Sequence, residues 1–410
     1  MNSSVTLKSN PIIQGTASQL PSSKSISNRA LILNALSGNQ STVSNLSSAR
    51  DTKLMKALIN STDHVIDVMD AGTTMRFLTA YFALTNQKKT LTGTDRMKQR
   101  PIKLLVDALR LLGAEIEYRG EEGFPPIESL GFKSQQTNSL SIPGNVSSQY
   151  ISALMMLAPS LPNGLTINLT SEAGSVPYIT MTASLMKEFG AQVDLDFKNN
   201  KIVVNPAKYK PSTVTIEADW SAASYWFGFT ALAKEAKVIL PTVSEKSLQG
   251  DRVIVELMEK LGVKSAFKGT SLELTKKEFV NHVTWDFKDC PDLAQTVLPV
   301  CAAKGITGEF TGLESLRIKE TDRIDALQRE LRKIGAEFSE PAVGRWKLVP
   351  GKISELKSSI QTYHDHRMAM GFAPWATLTD LVIESPEVVN KSYPGFWEDV
   401  KSVGIKVMPS

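Results

Sequence analysis

Apolar residues along this chain fall repeatedly into the i, i+3, i+4, i+7 rhythm of amphipathic helices, with short strand-like runs between them. Ile26, Ala30 and Leu33 keep that rhythm, as do Met75, Leu78 and Phe82, then Leu104, Leu105, Ala108 and Leu112. It returns in Ile151, Leu154, Met155 and Ala158, in Ile179, Thr182 and Met186, and in Ala294, Val297, Leu298 and Cys301. Ile324, Leu327, Leu331 and Ile334 form one more such stripe. Helices alternating with short strands predict an α/β fold.

A slower pattern overlies this one. An apolar helix end, then glycine, a small or β-branched residue and a short strand recur at Gly113, Gly190, Gly262, Gly335 and Gly404. The glycine suits the left-handed position that closes a helix. The interval is roughly 70 residues, longer than the common solenoid periods. The stretch around Asn60 reads as a degraded sixth copy. Six helix-and-strand units predict two domains of three units each. Gln19-Leu20-Pro21-Ser22 and Glu217-Ala218-Asp219-Trp220-Ser221 read as the crossings. One domain is therefore expected over 20–218, and the other over 219–410 together with the N-terminal strand in 1–19. No low-complexity linker separates them, so short crossings and rigid-body domains are expected.

Composition narrows the function. The 410 residues suffice for two or three domains with full cores. A net charge of +4 allows a local basic cleft but not the strong basic stripe of a nucleic-acid binder. Cys290 and Cys301 are too few for a disulfide framework or a cysteine-rich zinc site. The N-terminal residues carry no apolar signal core, and no apolar run is long enough for a bilayer. A cytoplasmic protein without a membrane partner is expected.

Cations sit at the starts of several helices. Ser22-Ser23-Lys24-Ser25-Ile26-Ser27-Asn28-Arg29 opens one, with Lys24 ahead of the helix and Arg29 inside it. Asp70-Ala71-Gly72-Thr73-Thr74-Met75-Arg76 opens another, where Gly72 lets a ligand approach the backbone closely. Ser147-Ser148-Gln149 and Ser171 to Tyr178, with Pro177 in the first turn, repeat the device. Hydroxyls and unpaired N–H groups at such ends hold anions, although each alone reads equally as an ordinary N-cap. Arg96, Lys98 and Arg100 form a basic loop before a further helix. Arg317-Ile318-Lys319-Glu320-Thr321-Asp322-Arg323 mixes three cations with acids. A helix starting near Glu320 would bring Lys319 and Arg323 to one face. A carboxylate beside such a pair can move a proton while the cations hold an anion. His364 and His366 lack a third ligand cluster for a metal, so Arg367 with His366 as donor reads better as an anion site. Asp292 precedes an apolar run and would also serve as an N-cap, and Lys391 in a turn-like segment would also serve as a surface lysine.

Taken in order, Lys24-Ser25-Ile26-Ser27-Asn28-Arg29-Ala30, Ala71-Gly72-Thr73-Thr74-Met75-Arg76, Met97-Lys98-Gln99-Arg100-Pro101-Ile102, Ser147-Ser148-Gln149, Arg317 to Arg323 and Asp365-His366-Arg367-Met368-Ala369-Met370 resemble the motifs of the 5-enolpyruvylshikimate-3-phosphate synthase family. The resemblance covers nearly the whole chain. It implies an inside-out α/β barrel of the enolpyruvyl transferase type, with three βαβαββ-type repeats per domain and the active site in the cleft between the domains. The implied reaction moves the enolpyruvyl group of phosphoenolpyruvate to the 5-hydroxyl of shikimate 3-phosphate and releases phosphate. By the same resemblance, Ser25, Arg29, Ser147, Ser148, Ser175 and Lys319 hold shikimate 3-phosphate. Gly72, Arg100, Gln149, Arg323, Arg367 and Lys391 hold phosphoenolpyruvate, and Lys24 reaches both. Asp292 takes the hydroxyl proton and Glu320 protonates the methylene carbon. No metal or cofactor is implied, and a monomer acting on two small substrates is expected.

Asp70 stands where the family usually has Asn, Ser315 where many members have Asn, and Phe77 where Pro or Leu is usual. Two other readings compete. The related transfer to a UDP-sugar relies on a cysteine in a glycine-rich loop, and neither Cys290 nor Cys301 has such surroundings. A sugar-phosphate sensor on the same fold would not need both Asp292 and Glu320 among so many cations.

Overall fold

Helix Lys103–Leu112 ends at Gly113, whose φ of +111° lets its N–H reach back to the carbonyls of Arg110 and Leu109. Gly190, Gly262, Gly335 and Gly404 also follow helices at positive φ, and a strand comes after each. The computed structural model describes residues 3–409.

The strand after each of these glycines belongs to a small sheet, and four of the sheets share one topology. In the first, Val65–Asp67 and Lys89–Thr92 run parallel, joined through helix Gly72–Leu84. Lys89–Thr92 then pairs antiparallel with Ile127–Phe132, which pairs antiparallel with Ala114–Tyr118. Ser139–Ile142, Leu165–Leu169, Lys201–Val204 and Val193–Asp196 repeat the arrangement around helix Ser148–Leu157. Ile12–Thr16, Glu235–Leu240, Ser271–Lys276 and Val263–Lys268 repeat it around helix Trp220–Leu232. His282–Asp286, Thr307–Thr311, Arg345–Val349 and Glu337–Ala342 repeat it around helix Ala294–Lys304. The helix in each parallel crossover covers a sheet face that would otherwise be wet.

The two remaining sheets are assembled from distant segments. Thr42–Ser44 pairs in parallel with Thr213–Thr215, and Ser4–Lys8 lies antiparallel between Leu381–Glu384 and Lys406–Pro409. The repeat around Asn60 is not of the expected kind. Asn60 is not among the residues with positive φ, and the strand after it, Val65–Asp67, opens the next sheet instead of closing its own unit.

The chain divides into two compact units. One holds Lys24–Ser47 and Asp51–Ile216, and the other holds the residues up to Ser23, Ser48–Arg50 and those from Glu217 on. The short segment Ser48–Arg50 carries no mark in the sequence pattern. Each unit has its own apolar core. Phe77, Phe82 and Phe189 are buried in the first, and Trp220, Trp226, Phe229 and Phe396 in the second. Among the described residues no helix is long and apolar enough to cross a membrane.

Candidate active site

In the unit containing Lys24–Ser47, the polar helix starts adjoin one another. Lys24 is the first residue of helix Lys24–Leu36, not a residue ahead of it, and its Nζ lies 3.2 Å from Asp51 Oδ2. One turn on, Arg29 is almost fully buried. Its Nε donates to Thr182 Oγ1 at 2.6 Å, its Nη2 to Ser152 Oγ at 3.1 Å and its Nη1 to the Ser25 carbonyl at 3.0 Å. These bonds tie helix Lys24–Leu36 to helices Ser148–Leu157 and Val176–Glu188. The guanidinium carbon also lies 5.3 Å from the centre of the Phe77 ring. No carboxylate among the described residues pairs with Arg29. Burial accordingly lowers its pKa to about 10.

Arg100 is a second buried cation of this kind. It has no carboxylate partner among the described residues, and its guanidinium lies against the first turn of helix Gly72–Leu84. A β-carbon added at Gly72 would stand 2.6 and 2.7 Å from its two terminal nitrogens. A cation beside the positive end of a helix is disfavoured unless an anion shares the site. Gln149 Nε2 donates to Thr73 Oγ1 at 3.0 Å, which brings the first turn of helix Ser148–Leu157 to the same place. Ser147 caps that helix by accepting from the Gln149 N–H, and Ser148 is nearly buried. Ser175 stands at the cap position of helix Val176–Glu188 with φ +54°, and Pro177 lies in the first turn. Arg96 and Lys98 are not in a loop. They lie in the one-turn helix Asp95–Lys98, which Thr94 caps, and Lys98 makes a surface pair with Asp95.

The other unit holds an ionic cluster. The helix expected near Glu320 begins at Arg323, because Asp322 accepts from the N–H groups of Ile324 and Asp325 and caps it. Lys319 and Glu320 lie in the bend before it, yet Lys319 and Arg323 still share a target. Arg323 Nη1 is 2.7 Å and Lys319 Nζ 3.8 Å from Asp292 Oδ1. Arg323 Nη2 reaches Glu320 Oε2 at 2.9 Å, and its Nε reaches Asp365 Oδ2 at 2.7 Å. Arg367 Nη2 lies 2.9 Å from Asp292 Oδ2, and Lys391 Nζ lies 3.8 Å from Glu320 Oε1. Lys391 is 2% exposed, so it is no surface lysine. Asp292 does not cap a helix. It sits in the 3-10 turn Pro291–Leu293, and the cap position of helix Ala294–Lys304 belongs to Leu293. His366 is buried, with Nδ1 3.4 Å from Asp365 Oδ1.

The fields here are strong. Burial alone would raise the Asp292 carboxyl, but Arg367, Lys319 and Arg323 outweigh it and hold it well below the usual carboxylate range. Burial would likewise lower Arg323, and Asp365, Glu320 and Asp292 reverse that. Asp292 is therefore a carboxylate at neutral pH. Cys290 and Cys301 are buried, and burial pushes both thiols up to about 12, far from a nucleophilic thiolate. Among the described residues no three His, Cys, Asp or Glu side chains are grouped as metal ligands.

Sequence reasoning missed Asp51, Ser221, Tyr225 and Asp251, and gave Asp365 no role. Asp365 had a signal, since it precedes a helix and caps it by accepting from the Arg367 N–H at 2.8 Å. The others are brought in by tertiary folding from segments without a local signature.

The family model for EPSP synthase (3-phosphoshikimate 1-carboxyvinyltransferase) matches residues 9–61 and 56–400. The chain belongs to the EPSP synthase family. It is 46% identical to the 3-phosphoshikimate 1-carboxyvinyltransferase of Bacteroides fragilis (strain YCH46), with 95% of each chain covered. It is 34% identical to that of Haemophilus influenzae, over 98% of this chain and 99% of the other. Among solved structures, the EPSP synthase from Acinetobacter baumannii matches over the whole of both chains with a TM-score of 0.76 and 19% identity. That likeness carries the fold: the two units, each with three small sheets, follow the EPSP synthase architecture.

Proposed function

We infer that the chain catalyses the reaction for which its family is named. It transfers the enolpyruvyl group of phosphoenolpyruvate to the 5-hydroxyl of shikimate 3-phosphate and releases phosphate, a step of the shikimate pathway to chorismate and the aromatic amino acids. The observation that carries this reading is the pair of buried arginines, Arg29 and Arg100, without a carboxylate partner among the described residues. Burying an unpaired cation is costly, so such groups point to anionic ligands. The two phosphates and two carboxylates of the substrates supply them.

In this reading Arg29, Ser25, Ser147, Ser148 and Ser175, with Lys319, hold shikimate 3-phosphate. Arg100, Gln149 and the Gly72 backbone, with Arg323, Arg367 and Lys391, hold phosphoenolpyruvate, and Lys24 reaches both. Addition comes first. Asp292 accepts the proton of the 5-hydroxyl as its oxygen bonds to C2 of phosphoenolpyruvate, and Glu320 donates a proton to C3, which becomes a methyl group. Elimination follows: C3 gives its proton back to Glu320, the double bond re-forms, the C2–O bond to the phosphate breaks, and the phosphate leaves with the proton that Asp292 took. The substrate anions draw on the cations around Asp292 and Glu320, which favours the protonated carboxyl each needs during its step. Lysines and arginines stabilise the charge that develops on the phosphate and carboxylate. The proposed enzyme works in the cytoplasm as a monomer and draws on no further partner.

Phosphorus and proton NMR of the reaction mixture tests this. The 5-enolpyruvyl ether of shikimate 3-phosphate and inorganic phosphate should appear together. Pyruvate without the ether would overturn the transfer reading.

A further inference from the structure

Behind the ionic cluster lies a second buried carboxylate that the steps above do not use. Asp251 is 3% exposed and sits in the 3-10 turn Gly250–Val253. Its Oδ2 accepts from the hydroxyl of Ser221, in the first turn of helix Trp220–Leu232. Its Oδ1 has no hydrogen-bond partner among the described residues. A carboxylate only accepts hydrogen bonds, so the Ser221 proton points at Asp251 and a lone pair is left for a donor. The donor is Arg367 Nη2, 3.4 Å from Ser221 Oγ. The same nitrogen reaches Asp292 Oδ2 at 2.9 Å, and Nη1 donates to the Tyr225 hydroxyl at 3.2 Å.

We propose that Asp251, acting through the Ser221 hydroxyl, is a positioning residue that holds the Arg367 guanidinium in register for phosphoenolpyruvate. This rests on the assignment of Arg367 to that substrate. The need begins when phosphoenolpyruvate competes with Asp292 for Arg367 and persists through the chemical step. When Asp292 takes up the hydroxyl proton, it loses the charge that helps anchor Arg367. The Ser221 and Tyr225 bonds do not change in that step, so the guanidinium stays in place for the anion. A fixed carboxylate one hydroxyl away from the arginine keeps the Ser221 lone pair directed at it throughout. Burial pushes the Asp251 carboxyl up to about 6, with Asp292 adding to the rise and Arg367 opposing it.

Steady-state kinetics of S221A, D251A, D251N, the double variant S221A/D251A and R367K tests the proposal. S221A and D251A should each raise the phosphoenolpyruvate KM by about 10-fold, with kcat and the shikimate 3-phosphate KM within about 2-fold of wild type. D251N should restore the KM to within about 3-fold, because its amide oxygen still accepts from Ser221. The double variant should be no worse than the single ones, since both act through one guanidinium. An unchanged phosphoenolpyruvate KM in S221A overturns the proposal. So does a joint loss in kcat and both KM values, which marks a merely structural role. Should D251A not fold, S221A and D251N decide by the same criteria. R367K separates the two levels. If it leaves the phosphoenolpyruvate KM unchanged, the assignment of Arg367 fails as well. If it raises that KM while S221A does not, only the role of Asp251 falls.

Discussion

Arg29 and Thr182 are joined by a 2.6 Å hydrogen bond from Nε to the hydroxyl, inside a core where no carboxylate among the described residues balances the guanidinium. Among the described residues, only neutral groups hold this cation: two hydroxyls, a carbonyl and the faces of Phe77 and Tyr178. A charge in that position is a burden on the fold and a benefit to an anionic ligand. Replacing Arg29 by Met fills similar space without the charge. The variant should have a urea midpoint no lower than wild type, because removing an unbalanced buried charge is often neutral or stabilising. Its shikimate 3-phosphate KM should rise by at least about 30-fold, roughly 2 kcal/mol of binding. A normal KM with lowered stability would make Arg29 a structural residue.

Glu320 is the proton donor to C3 in the proposed mechanism, and it is held 2.9 Å from Arg323 and 3.8 Å from Lys391. Gln in its place keeps the shape and cannot give up a proton. Glu320→Gln should lower kcat by about 100-fold or more and leave shikimate 3-phosphate affinity within a few fold. Near-normal turnover would remove Glu320 from the chemistry.

Gly72 has no room for a methyl group unless Arg100 moves, since the added carbon would lie 2.6 Å from a guanidinium nitrogen. The obstacle is the far end of a flexible side chain, so the helix survives and the arginine is displaced. Gly72→Ala should raise the phosphoenolpyruvate KM by about 10-fold while thermal stability stays within about 1 kcal/mol of wild type. Equal effects on both substrates would mean that Arg100 does not serve phosphoenolpyruvate alone.

Asp251 also leaves a mark on stability. It titrates near pH 6 in the folded chain against a usual value of 3.8, chiefly through burial, with Asp292 and Asp219 raising it and Arg367 and Ser221 opposing. Cys290 faces it as well. Between those values the folded chain keeps a proton that the unfolded chain has lost, so stability falls as pH rises through this window. Compared with Asp251→Asn, the wild type should lose on the order of 2 kcal/mol from pH 4 to pH 6.5, read from urea midpoints. Parallel curves for the two proteins would show that Asp251 is not perturbed.

The helices, the closing glycines and most helix starts were legible because their signals are local. Periodicity, Pro177 and the cap at Ser147 lie within a few residues of what they specify. The start at Arg323 was also written locally, in Asp322, but the density of charge drew the expected boundary back to Glu320. The burial of Lys391, the absence of a carboxylate beside Arg29, and the link from Asp251 through Ser221 to Arg367 were not legible. Each depends on which distant segment folding brings alongside. Asn60 misled for a related reason: a helix end followed by a strand resembles a repeat, and only the pairing partner of Val65–Asp67 shows that it opens the next sheet.

Release of inorganic phosphate, followed continuously with the wild-type chain, tests the central assignment most directly. Phosphate should appear only when phosphoenolpyruvate and shikimate 3-phosphate are both present, up to the amount of the limiting substrate. Phosphate released from phosphoenolpyruvate alone, release supported by a UDP-sugar in place of shikimate 3-phosphate, or no release with both substrates would contradict it.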